Sequence, residues 1–74
     1  MLNNHLREVR LQRDLTQETL AGMVGVTRQT IIAIEKGGYT PSVSLALQLA
    51  HVLEVSIESL FWLDDYKGSE TCEK

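Results

Sequence analysis

Leu15-Thr16-Gln17-Glu18-Thr19-Leu20-Ala21-Gly22-Met23-Val24-Gly25-Val26-Thr27-Arg28-Gln29-Thr30-Ile31-Ile32-Ala33-Ile34-Glu35-Lys36-Gly37 is the stretch whose reading decides the fold. Two helices, over about 17–24 and 28–36, share one kind of start. A hydroxyl residue, Thr16 or Thr27, stands ready to accept a backbone N–H bond. An apolar residue before it, Leu15 or Val26, meets another five positions later, Leu20 or Ile31. Between the helices Gly25 suits the left-handed backbone that a tight turn requires. Ala21 is small enough for one helix to cross close over the other. Leu20, Val24, Val26, Ile31 and Ile34 take the inward positions, so the two helices pack at a steep angle around a shared apolar seam.

Working outward, the same start recurs at Val55-Ser56…Leu60 and predicts a helix over about 57–62. A further helix, about 43–53, follows Thr40-Pro41-Ser42, where proline suits the first turn and either hydroxyl can cap. Its inward stripe reads Val43, Ala46, Leu49, Ala50 and Leu53. Before the central stretch, a helix over about 4–13 carries Leu6, Val9 and Arg10 on one stripe. Arg7, Glu8 and Gln12 turn outward, and Asp14-Leu15 ends it. Apolar residues recur at three- and four-residue steps without sustained alternation, so the expectation is an all-α bundle of five short helices. One alternative stays open at the ends, where Phe61-Trp62-Leu63 pairs in extended form with Leu2-Asn3-Asn4. The domain is expected to span 1–63, and the polar, aperiodic residues 64–74 to form a frayed tail.

Seventy-four residues allow one domain. With 43% hydrophobic and 23% charged residues the chain lies in the globular range. A net charge of −3 excludes a uniformly basic nucleic-acid coat and a polybasic membrane anchor. The charge is unevenly spread: residues 1–36 carry five basic against four acidic side chains, and residues 37–74 two against six. Any contact with an anionic partner must therefore be local, and its salt dependence shallow. The single cysteine, Cys72, closes no intramolecular disulfide and has no second thiol with which to hold zinc. No run is long enough for a membrane helix, and the first residues lack the build of a signal peptide, so a cytosolic protein is expected. His5 and His51 stand apart from any acid or nucleophile. No enzymatic activity, metal or cofactor is expected.

Taken together, Leu15-Thr16-Gln17-Glu18, Leu20-Ala21, Gly25 to Ile31, Ile34-Glu35-Lys36-Gly37 and Tyr39-Thr40-Pro41-Ser42 resemble the phage-repressor-type helix-turn-helix regulators of the xenobiotic-response-element class. The resemblance covers about residues 4–63. It implies a five-helix, lambda-repressor-like DNA-binding domain that commonly acts as a dimer on a palindromic operator. The helix 28–36 then enters the major groove of double-stranded DNA. Arg28, Gln29 and Thr30 in its first turn, with Ile32 further along, are the expected base readers. Arginine forks onto guanine, glutamine pairs with adenine, and threonine or isoleucine meets a thymine methyl.

For the DNA backbone the expected contacts are Gln17, at the positive end of the bracing helix, Thr27, Lys36, Tyr39, Thr40 and Arg13. The resemblance also implies that Gln17 supports the side chain at position 28. Arg10 and Glu35 each interrupt an apolar stripe, and the family pairs these positions in a structural salt bridge. One reading helix spans too few base pairs for a unique address, so a homodimer spaced by about 34 Å of DNA is expected. Leu45, Val52, Phe61, Trp62 and Leu63, with Tyr66, form the expected interface. The competing function is an antitoxin-like module that offers this C-terminal flank to a protein partner and binds DNA secondarily.

Overall fold

The computed structural model describes residues 2–63. In chain order these form strand β1 (Leu2–Asn4), helices α1 (Leu6–Gln12), α2 (Gln17–Val24), α3 (Arg28–Glu35), α4 (Val43–Leu53) and α5 (Ile57–Leu60), and strand β2 (Phe61–Leu63). The expected tail at 64–74, including Tyr66 and Cys72, lies outside the described residues.

Hydroxyl caps open four of the five helices. Thr16 accepts the N–H of Thr19 at 3.0 Å, Thr27 that of Thr30 at 3.3 Å and Ser56 that of Ser59 at 3.2 Å. Ser42, not Thr40, caps α4 by accepting from Leu45 at 3.1 Å. Each satisfies a first-turn donor that has no partner inside the helix.

The other ends share a second device. After α1, α2, α3 and α4 the chain takes one left-handed residue, and the next N–H reaches back to a carbonyl five residues earlier. Those bonds run from Leu15 to Arg10 (3.2 Å), Val26 to Ala21 (3.0 Å), Gly38 to Ala33 (2.9 Å) and Val55 to Ala50 (3.0 Å). The left-handed residues are Asp14, Gly25, Gly37 and Glu54, with φ of 58°, 75°, 82° and 61°. Four sharp stops in a short chain keep the helices brief and turn each onto the next.

Leu6, Leu20, Ile31, Ile34, Leu49, Leu53 and Leu60 are fully buried and come from all five helices, so one core holds the bundle together. Leu15, Val26 and Val55, the residues before three of the caps, pack against it. Burial of each large aliphatic side chain contributes roughly 1.5–3 kcal/mol.

At the ends the fold departs from an all-α bundle. β1 and β2 pair antiparallel, with Leu2 opposite Leu63, Asn3 opposite Trp62 and Asn4 opposite Phe61. This extended pairing shortens the first helix to 6–12 from the expected 4–13, and the last to 57–60 from the expected 57–62. The 28–36 helix closes one residue early, with Lys36 as its C-cap.

Two expectations for α4 change. Val43, expected on the inward stripe, is 74% exposed, because it opens the first turn beyond the edge of the packed layer. Leu45, expected on a dimer flank, is only 8% exposed. α2 and α5 both pack on α4, so its buried arc is wider than the usual ~100° stripe and takes in Leu45 as well as Ala46, Leu49, Ala50 and Leu53. Phe61, also expected on that flank, belongs to the core. Successive strand residues face opposite ways, so Phe61 points inward while Trp62 points out.

Candidate nucleic-acid interface

α2 and α3 meet along Leu20, Ala21, Val24, Ile31 and Ile34, all buried. Ala21 allows the close crossing. Gly25 supplies the turn, and its φ of 75° is the reason a glycine stands there, since a side chain at that position would meet nothing within 4 Å. With Ile31 and Ile34 anchoring one face, the opposite face of α3 is turned to solvent. Arg28 and Gln29 are exposed in its first turn, and Thr30, Ile32 and Ala33 are partly exposed. The hydroxyls of Thr27 and Thr30 lie 3.2 Å apart, so Thr30 shares its hydrogen-bonding capacity with the cap of its own helix.

A buried polar cluster holds this helix pair against α1. Arg10 Nε donates to Glu35 Oε2 at 2.7 Å, and Arg10 Nη1 donates to the Leu15 carbonyl at 2.8 Å. Gln17 Nε2 donates to the other carboxylate oxygen, Glu35 Oε1, at 3.1 Å. The two ion-pair side chains are only 8% and 5% exposed, so both charges depend on these partners. The cluster links the last residue of α3 to α1 and to the first residue of α2.

The expected backbone contacts fall into separate places. A carboxylate can only accept, so Gln17 must present its NH2 to Glu35 and turn its amide oxygen away. One of its two amide hydrogens goes to Glu35, and the other remains available beside the first-turn N–H groups of α2. Gln17 and Arg28 border one open hollow with Arg7, between α1 and the starts of α2 and α3. Lys36, Tyr39 and Thr40 are exposed in the segment after α3. Arg13 reaches elsewhere: its Nη2 donates to the Glu54 carbonyl at 3.5 Å and its Nη1 lies 3.7 Å from the Glu54 carboxylate, at the end of α4.

Of the flank expected to bind a second copy, Trp62 and Leu63 are 38% and 54% exposed and Val52 is half-buried. The Trp62 ring stacks on His5 with centroids 4.4 Å apart. Two long-range contacts were not legible in the sequence. His5 looked isolated because its aromatic partner lies 57 positions away. Asn4 looked like an ordinary helix start, yet its Nδ2 donates to the Ile34 carbonyl at 2.9 Å. The available signal was its residue type, since an asparagine two positions before a helix commonly bonds the local backbone.

The helix-turn-helix family model matches residues 6–60 of this chain. An uncharacterised HTH-type transcriptional regulator of Bacillus subtilis (strain 168), YgzD, is 44% identical over 64 residues, covering 86% of this chain and 97% of that protein. The cryptic phage CTXphi transcriptional repressor RstR of Vibrio cholerae is 37% identical over 60 residues, 81% of this chain and 54% of the repressor. Among solved structures, the restriction-modification controller protein C.AhdI of Aeromonas hydrophila superposes with a TM-score of 0.69 at 35% identity, covering 73% of this chain and 82% of that one. Among the described residues no helix is long and apolar enough to cross a membrane. The chain belongs to the helix-turn-helix family and is a DNA-binding transcriptional regulator of the xenobiotic-response-element class.

Proposed function

We propose that this regulator recognises a palindromic operator as a homodimer, lays α3 in the major groove of each half-site, and represses transcription by occupying promoter DNA. The observation that carries the reading is the exposure of Arg28 and Gln29 at the leading turn of a helix whose opposite face, Ile31 and Ile34, is fully buried. A rigidly seated helix with a free polar tip is what direct readout of base edges requires. Arg28 and Gln29 are the principal base readers, with Thr30 and Ile32 beside them.

Thr27, Lys36, Tyr39 and Thr40 with the α2 N-terminus hold the backbone. Arg13, whose exposed contact with Glu54 is a weak hold, stays with that set as a further phosphate contact. Similarity to RstR, named a repressor, and to C.AhdI, named a controller protein, supports a regulatory role of this kind. Trp62, Leu63 and Val52 offer the second copy its surface. Selection of bound fragments from a random DNA pool tests the reading: a palindromic consensus supports it, and binding without sequence preference overturns it.

A further inference from the structure

Asn4 ends β1 and touches three elements at once. Its Oδ1 accepts the N–H of Leu6 at 3.0 Å and fixes the start of α1. Its Nδ2 donates at 2.9 Å to the carbonyl of Ile34, thirty residues along the chain. Its register partner across the sheet is Phe61. The Ile34 carbonyl also accepts the N–H of Gly37 at 3.0 Å, and Gly38 N–H reaches Ala33 at 2.9 Å in the same closing turn of α3. One side chain therefore fastens the strand pair to the point from which Lys36, Tyr39 and Thr40 depart.

From the sheet side that point is held by Phe61, buried in the same core as Ile34, and by the Asn4 bond. Between the strands and the segment after α3 lies a recess of about 240 Å³, bordered by Leu2, Asn4, Gly37, Tyr39 and Thr40. Where the two surfaces stand apart, the Asn4 bond is the side-chain hydrogen bond that joins the strand pair to α3 among the described residues. Only a side chain with both an acceptor and a donor at this length makes both bonds. Aspartate keeps the acceptor for Leu6 and loses the donor for Ile34. Alanine loses both.

We infer that Asn4 is a positioning residue for DNA binding, setting the last turn of α3 and the Tyr39–Thr40 segment in register with the phosphates. The inference rests on the DNA-binding reading above and adds to it a residue that itself lies outside the proposed contact set. Phosphate contacts fix a protein's register on the duplex, so a loosened segment weakens binding and lowers its dependence on salt.

The test uses the full chain and a labelled duplex that the wild type selects from a random pool. Asn4→Asp, Asn4→Ala and the charge control Asn3→Asp are compared at a temperature where circular dichroism shows each folded. Asn4→Asp keeps the α1 start, so it answers the question should Asn4→Ala fail to fold. The expected result is about tenfold weaker binding by Asn4→Asp, a salt slope lower by about one, and less than twofold change for Asn3→Asp. Equal weakening by both aspartates, or unchanged affinity and slope in Asn4→Asp, overturns the inference. A wild type that selects no duplex sinks the DNA-binding reading itself, which is a different outcome.

Discussion

Arg10 Nε and Glu35 Oε2 stand 2.7 Å apart with both side chains more than nine-tenths buried, and this pair joins the first helix to the end of the third. Glu35 accepts from Arg10 with one oxygen and from Gln17 with the other. The charges are compensated only by each other and by neighbouring dipoles. Removing one partner strands the other in a poorly solvated place, at a cost of roughly 3–5 kcal/mol. A domain of this size has about 4–11 kcal/mol in total. Glu35→Ala should therefore lower the urea midpoint severely. The double variant Arg10→Met with Glu35→Leu should recover much of the loss. An unchanged midpoint in Glu35→Ala would show that the pair is not structurally important.

Arg28 tests the reading of bases. Arg28→Ala should lose roughly 1–3 kcal/mol on the selected duplex and little on random DNA, because a forked guanine contact contributes only where the base is right. Fluorescence anisotropy on both duplexes measures the difference. An equal loss on the two would reassign Arg28 to the phosphates.

Glu54 and Asp14 occupy left-handed backbone positions, with φ of 61° and 58°, where glycine has no Cβ to strain the chain. Glu54→Gly gives up an exposed ion pair with Arg13 that contributes little. Each glycine substitution should stabilise by about 1 kcal/mol. In thermal unfolding that appears as a rise of about 4–8 °C. A fall in the midpoint would mean that glycine's greater unfolded-state entropy outweighs the relieved strain.

Salt titration follows from the charge distribution. With Lys36, Arg28 and Arg7 among the exposed cations near α3, log K should fall against log salt with a slope shallower than about −4 per subunit. A markedly steeper slope would require basic contacts beyond those proposed.

Trp62 tests the dimer. With Leu63 it forms an exposed apolar edge on β2, and Trp62→Ser should shift sedimentation from dimer toward monomer. Two identical monomer profiles would remove this surface as the interface and leave it for a different protein partner.

Much of this molecule was written in short-range signals. The hydroxyl caps at Thr16, Thr27 and Ser56, the apolar residues paired around them, and Gly25 in the turn specify three helix starts and the crossing of α2 and α3 without reference to distant residues. The exposed tip of α3 was legible for the same reason, since its inward residues fix which way Arg28 and Gln29 face. Glycine marked two of the four left-handed stops and Asp14 marked a helix end, but Glu54 did not announce its stop, because glutamate adopts that conformation only rarely.

Tertiary structure alone decided what depends on two distant faces meeting. β1 and β2 lie at opposite ends of the described chain, and the extended pairing that the sequence left open between 61–63 and 2–4 was settled by the fold, because three-residue strands have too little local preference to choose it over helix. Leu45 went into the core and Val43 to solvent because the width of α4's buried face is set by its neighbours α2 and α5. Gln17 turned its amide to Glu35, and Asn4 reached Ile34, because the fold brought an acceptor within hydrogen-bond distance of each. Local sequence determines helices through contacts a few residues apart, whereas the hydrogen bonds that fix α3 against α1, α2 and β1 join residues 18 to 30 positions apart.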